Sequence, residues 1–266
     1  AYYDGMFDIT PAVLCLLVAL FAQIASNFAN DYFDFKKGAD REDRLGPERA
    51  VAQGWITPKA MLTGTFAMLG LACLSGLLLI CFADWRLIWV GLAIAICVLA
   101  YSAGPFPLAY NGLGDVCVLL FYGVIPVCFT YYIQTLSFSL LSFLLSVALG
   151  LLSVNILVVN NYRDYLQDKA ARKRTTIVLF GRRAGRVFYV LNECMAFLLV
   201  LPLVLDAPWW ILFLFGILFA LCFYTTRELL TLEGRALNRT LGHTARNVFL
   251  FAAVLSLLFV YVGSSL

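Results

Sequence analysis

The sequence predicts an all-α protein, a polytopic bundle of membrane-spanning helices. Its 266 residues are 62% hydrophobic and only 13% charged, too apolar for a soluble domain of this length. The apolar residues gather into runs close to the roughly 20 residues that a span requires. The cations are confined as well: eighteen of the 19 Lys and Arg residues lie in the segments 31–59, 160–186 and 225–246, with Arg86 the exception.

Breaking the chain at its polar clusters gives eight spans, at 9–29, 59–82, 87–103, 113–133, 138–159, 187–205, 208–226 and 246–263. The first ends in the polar stretch "NFANDYFDFKKGAD". The second opens at "WITPKAM", where Thr57 suits an N-cap and Pro58 the first helical position. After the third comes "YSAGPFPLAYNGLGD", a Gly- and Pro-rich turn from which a helix restarts near Gly114 and Asp115. The fifth ends in "NNYRDYLQD", echoing the first, so the two halves form a weak internal repeat. Early in the sixth span, Glu193 either occupies the first turn at the interface, which suits Glu at a helix N-terminus, or faces a cavity. Between the last two spans, "TTRELLTLEGRALNRTLGHTARN" reads as a short amphipathic surface helix, with His243 an interfacial residue in a polar loop.

If the spans alternate in direction, the three basic segments and the 101–112 loop share one face, which the positive-inside rule makes cytoplasmic. Eight spans leave both chain ends outside. With no initiator Met at residue 1, a preceding ninth span is expected in the complete protein. The whole of 1–266 is a single membrane domain, placing the protein in the cell (inner) membrane. All eight Cys residues fall in apolar runs without metal-ligand spacing and read as small buried hydrophobes. Nothing points to nucleic acid, and no protein partner is expected.

The two polar clusters carry the chemistry. On a helix, Asn27, Asp31 and Asp34 project together, as do Asn30 and Asp34, while Asn160, Asp164 and Asp168 form a second stripe. Carboxylate and amide oxygens without thiol or imidazole suit a hard cation such as Mg2+. Each Asp near a span costs about 2.5 to 3.5 kcal/mol at the membrane centre, so unpaired acids there require compensation. Divalent ions bridged by a diphosphate, with Lys and Arg neutralising the remainder, supply it, and the apolar surroundings imply a lipid tail. Interfacial polarity or turn formation remains the plain reading of either cluster taken alone.

The motifs "NDYFDFKKGAD", "DRLGPERAVAQGWI" and "NNYRDYLQD", with the intervening "YSAGPFPLAYNGLGD", together resemble the UbiA superfamily of intramembrane prenyltransferases. Within it the chain is most similar to the branch acting on 1,4-dihydroxy-2-naphthoate. The resemblance implies nine helices around a central cavity with a cytoplasmic polar cap. It implies Mg2+ held by Asn30, Asp34, Asp164 and Asp168, with Asn27, Asp31, Asp40 and Asn160 as further motif positions. Lys36, Arg49, Arg163 and Lys173 become diphosphate contacts, and Tyr101 and Asn161 contacts to the aromatic acceptor. The implied reaction joins a polyprenyl diphosphate to 1,4-dihydroxy-2-naphthoate with decarboxylation, giving demethylmenaquinone within membrane lipid. The chain departs from the family in carrying Gly38 where many relatives have an acid, and Leu179 where an Arg precedes the closing Gly. Two other readings stand beside this one: prenylation of another aromatic quinone precursor, and a cation transporter using the paired carboxylates.

Overall fold

A computed structural model describes residues 1–39 and 44–263; Asp40, one of the motif positions, lies outside them. A helix stands at each of the eight expected spans. They are α1 (Ile9–Lys36), α2 (Pro58–Leu78), α3 (Leu87–Ala100), the pair α4 (Gly114–Leu119) and α5 (Ile125–Thr135), α6 (Leu140–Arg163), α8 (Thr176–Leu205), α9 (Trp209–Thr231) and α10 (Leu237–Gly263). A short helix, α7 (Tyr165–Ala170), follows α6. Seven of these segments are long and apolar enough to cross a membrane. The other, α3, has 14 residues, and at about 1.5 Å per residue it falls short of the hydrocarbon thickness.

Several helices run further than the hydropathy pattern predicts. Polar residues at their ends remain helical: α1 reaches Lys36, α6 reaches Arg163, and α8 begins at Thr176 rather than near 187. Thr175 starts α8 by accepting the Val178 N–H at 3.3 Å, and Gly181, at φ 85°, kinks it. Glu193 therefore lies well inside α8, not in its first turn, and its Oε2 accepts the Thr226 hydroxyl at 2.6 Å. The separate surface helix expected between the last two spans does not form. Instead α9 continues to Thr231 and α10 begins after one tight turn at Gly234–Ala236. Leu229 and Leu237 explain this, since both are fully buried with Tyr162, Ile177 and Tyr189 and draw the two helix ends inward. His243 consequently belongs to α10, with Nδ1 2.7 Å from Glu228 Oε2.

Other local signals act as read. Thr57 caps α2 by accepting the Ala60 N–H at 3.3 Å with Pro58 at the helix start, and α4 opens at Gly114 with Asp115 in its first turn. Such a cap stabilises a helix by about 1 kcal/mol.

Among the described helices α6 is the most enclosed. Ala148 and Leu152 pack with Ala196, Val200, Phe215 and Phe251 from α8, α9 and α10. On its other side, Gly150 meets Gly123 in a π-helical segment, Leu120–Val124, that joins α4 to α5. A Cβ on Gly123 would lie 2.5 Å from Gly150 Cα, so the two backbones touch. Outward faces are strongly apolar, with Leu16, Trp89, Phe213 and Phe249 all exposed, as a lipid-facing surface requires. The cysteines are all free, but only Cys117, Cys128 and Cys222 are buried; Cys73, Cys81 and Cys194 lie on exposed helix faces, so burial does not describe them all.

Candidate active site

The ends of α1 and α6 converge on one cavity of about 600 Å³. Asn30 and Asp34 line it from α1; Asn160, Asn161, Asp164 and Asp168 line it from α6 and α7. The two polar clusters, distant in sequence, share a single chamber. Lys37, Arg44, Arg49, Arg172 and Lys173 complete its charged wall.

Hydrogen bonds through the intervening loop fix this arrangement. The Tyr110 hydroxyl donates to Asp34 Oδ1 at 2.8 Å, and its backbone carbonyl accepts the Arg174 N–H at 3.0 Å. Its ring lies beneath two ammonium groups, Lys37 Nζ at 4.4 Å and Lys173 Nζ at 5.1 Å from the centroid. Lys173 Nζ is also 4.0 Å from Asp34 Oδ2, while its backbone N–H reaches the Asp168 carbonyl at 2.8 Å. Tyr110 thus connects both acidic motifs, a role invisible in a sequence that marks it only as one more aromatic. Lys37 Nζ donates to the Ser102 carbonyl at 2.5 Å, and the Ser102 hydroxyl donates to Asn30 Oδ1.

Not every expected site residue lines the cavity. Lys36 turns away from the cavity towards Tyr32, whose hydroxyl is 3.4 Å from Nζ, and the neighbouring Lys37 takes the inward position. Asn27 is exposed and does not line the chamber. Asp31 is buried, but its carboxylate accepts the N–H groups of Ala50 at 3.1 Å and Val51 at 3.3 Å. It therefore anchors the "GPERAV" segment, placing Arg49 at the cavity wall. The helical stripe expected of Asn27, Asp31 and Asp34 is split because the α1 end is wrapped on one side by this segment.

Arg163 is engaged inside the protein rather than turned to the cavity. It is 1% exposed. Its Nε and Nη2 donate to the two Asp164 oxygens, each at 2.7 Å, Nη2 also reaches Asn160 Oδ1 at 2.6 Å, and Nη1 reaches Asn238 Oδ1 at 2.7 Å. Asn238, from α10, donates in turn to the Leu45 carbonyl at 2.9 Å. Gly46 permits the approach: a Cβ there would stand 2.5 Å from Arg163 Nη2.

The donor set fits a hard divalent cation. Oxygen ligands from Asn and Asp surround the chamber, with no Cys or His among its lining residues. Among the described residues no three Asp, Glu, His or Cys side chains form a closed metal cluster. That spread suits Mg2+, which keeps waters and takes further oxygens from a phosphate. Burial pushes the Asp168 carboxyl up to about 6 against the opposing pull of Lys173, so this acid is held in a desolvated place that a cation would relieve. Burial likewise lowers Lys37 and raises Tyr110, the latter with Asp34 adding to the effect.

A helical membrane bundle with two Asn/Asp motifs and an adjoining basic wall in one chamber defines a class of intramembrane enzyme folds, and the chain belongs to it: residues 1–245 match the UbiA prenyltransferase family. A 1,4-dihydroxy-2-naphthoate octaprenyltransferase from Haemophilus influenzae is 40% identical over 183 residues, which cover 66% of this chain and 59% of that protein. The protein of the same name from Escherichia coli is 38% identical over 196 residues, covering 71% and 63%. The matched stretch is thus under two thirds of each relative's length. A UbiA homolog from Archaeoglobus fulgidus, solved bound to DMAPP and Mg2+, shares the fold at a TM-score of 0.65 and 17% identity, over 96% of this chain and 93% of that one.

Proposed function

We propose that the chain carries the catalytic chamber of a Mg2+-dependent prenyltransferase. It would transfer a polyprenyl group from its diphosphate to 1,4-dihydroxy-2-naphthoate, with decarboxylation, to give demethylmenaquinol, the reduced form of demethylmenaquinone. The observation that carries this reading is the single cavity shared by Asn30, Asp34, Asp164, Asp168, Arg49 and Lys173. The names of the 38–40% identical relatives and the DMAPP and Mg2+ of the Archaeoglobus homolog support it.

Asn30, Asp34, Asp164 and Asp168 would hold Mg2+, which would supply positive charge to the departing diphosphate oxygens. Lys173, Arg49 and Lys37 bind the diphosphate and neutralise its charge. As the allylic C–O bond breaks, the diphosphate leaves with the electron pair. A ring carbon of the naphthoate forms the new C–C bond, and loss of CO2 returns the electrons that restore the aromatic ring. The apolar helices shield the allylic cation from water and accept the prenyl tail within membrane lipid. The positive-inside distribution supports a chamber that would face the cytoplasm from a cell (inner) membrane.

The test incubates purified protein in detergent or liposomes with Mg2+, a polyprenyl diphosphate and 1,4-dihydroxy-2-naphthoate. Prenylated, decarboxylated product that vanishes with EDTA and in Asp34→Ala and Asp164→Ala is expected. Product only with 4-hydroxybenzoate would redirect the acceptor, and absence of any prenylated product would overturn the proposal.

A further inference from the structure

The acidic motifs and the basic wall account for the diphosphate end of the cavity, but another corner of it is built differently. There Tyr101, Gly114, Asp115, Leu157 and Thr176 meet. Asp115 stands in the first turn of α4. Its Oδ2 accepts the hydroxyl of Thr176, the first residue of α8. Its Oδ1 is buried and has no hydrogen-bonding partner among the described residues. Gly114 lets the Tyr101 hydroxyl and Leu157 close in on this corner: a Cβ there would lie 3.5 Å from the Tyr101 hydroxyl and 3.2 Å from Leu157 Cδ2. The corner therefore combines an unused carboxylate oxygen, a phenol and an apolar wall.

A buried carboxylate oxygen without a donor is costly, so native proteins seldom keep one unless something else supplies the hydrogen. An ionised carboxylate only accepts hydrogen bonds. It repels a phosphate, which the cavity's cations attract instead. What fits this corner is a flat, neutral hydrogen-bond donor. We propose that Asp115 anchors the aromatic acceptor, its Oδ1 accepting a hydrogen bond from a ring hydroxyl while Tyr101 and Leu157 bound the ring. This assignment rests on the prenyl-transfer reading above.

Charge also sets the direction in which the acceptor enters. The carboxylate of 1,4-dihydroxy-2-naphthoate is repelled by Asp115 and attracted to the wall of Lys37, Arg49, Arg172 and Lys173. The hydroxyl at position 4, remote from that carboxylate, is then the one directed to Asp115. The Thr176 bond holds Asp115 in place and ties it to the loop that carries Lys173, so the two substrates' binding elements are set by adjoining residues of one connection.

Asp115→Asn is the informative variant, because it keeps the shape and an oxygen for Thr176 but replaces the free acceptor by an amide donor. Two quantities are measured in wild type and variant: KM for 1,4-dihydroxy-2-naphthoate, and Ki for 1-hydroxy-2-naphthoate, which lacks only the 4-hydroxyl. A hydrogen bond to a charged group corresponds to about a 10- to 100-fold preference for the dihydroxy compound in wild type. The variant is expected to lose most of that preference through a raised acceptor KM, with an unchanged Ki for the analogue and an unchanged KM for the polyprenyl diphosphate. Equal weakening of both aromatics, a shift in diphosphate KM instead, or an unaltered preference would overturn the assignment while leaving prenyl transfer standing. A wild-type protein that makes no prenylated product would overturn both.

Discussion

Arg163 separates two accounts of the site most sharply. Its sequence position beside Asp164 marks it as a diphosphate contact, whereas the structure spends its guanidinium on Asp164, Asn160 and Asn238 through four bonds of 2.6 to 2.7 Å. Side-chain exposure is 0% for Arg163 and 10% for Asp164, so the pair is shielded from solvent. Removing one partner of such a pair leaves an uncompensated buried charge, at a cost of about 3 to 5 kcal/mol. Arg163→Ala is therefore expected to lower the melting temperature in detergent by roughly 10 °C or more. Arg163→Lys keeps the charge but cannot make the bidentate fork, and it should lose a substantial part of the same stability. Asp164→Asn placed on top of Arg163→Ala should restore part of it by removing the stranded charge, a coupling that a double-mutant cycle measures. The reasoning fails if Arg163→Lys melts like wild type while KM for the polyprenyl diphosphate rises, since that pattern belongs to a residue that touches substrate.

Three further perturbations test other joints. Tyr110→Phe removes the hydroxyl from Asp34 but keeps the ring under Lys37 and Lys173; losing a charged hydrogen bond of about 1.5 to 3 kcal/mol should reduce kcat/KM by about tenfold or more, read by a product assay across Mg2+ concentrations. Asp31→Ala leaves the Ala50 and Val51 N–H groups without their acceptor, so the melting temperature should fall and activity should decline through displaced Arg49, without a change in the Mg2+ concentration needed for half-maximal rate among correctly folded molecules. Gly123→Ala pushes a methyl group into the Gly150 backbone, and overpacking of this kind costs about 1 to 3 kcal/mol, measured as lost thermal stability with the substrate KM values unchanged.

The bundle was legible because its determinants are coarse and local: span-length apolar runs, segregated cations, the Thr57–Pro58 start and the Gly114 restart all operate within a few residues. The convergence of the two acidic motifs was legible as well, since repetition of Asn and Asp at helix ends is itself a pattern. What escaped is set by contacts distant in sequence. Nothing near Asp31 announces that residues 50 and 51 will fold back on it, and nothing near Arg163 announces Asn238. The choice between Lys36 and Lys37 turns on a rotation of about 100° per residue, too fine to read once the end of the helix is misplaced by several residues. Tyr110 lies in a loop whose sequence signal is its Gly and Pro content, and Asp115 reads there only as the first turn of a restarting helix; neither pattern announces a contact at the cavity.

Hydrogen bonds tie the connections around the cavity to the helices, and this shapes how the site is held. Tyr110 ties the 101–112 loop to α1 and to the Lys173 loop, Asp31 ties the 44–57 segment to α1, and Asn238 ties that segment to α10 and Arg163. Each tie ends on a group that also faces, or adjoins, a proposed ligand of metal or diphosphate. A chamber held by charged hydrogen bonds is most stable when those charges are balanced, and burial raises the Asp168 carboxyl, disfavouring its charged form. Binding of a divalent cation together with a diphosphate balances acids and bases at once, whereas either alone adds net charge. The two are therefore expected to bind with positive cooperativity, each raising the other's affinity by the same factor. Titration of Mg2+ with and without a non-hydrolysable diphosphate analogue, followed by melting temperature, measures that factor directly, and equal affinities under the two conditions would show that the ties, not the charges, set the geometry.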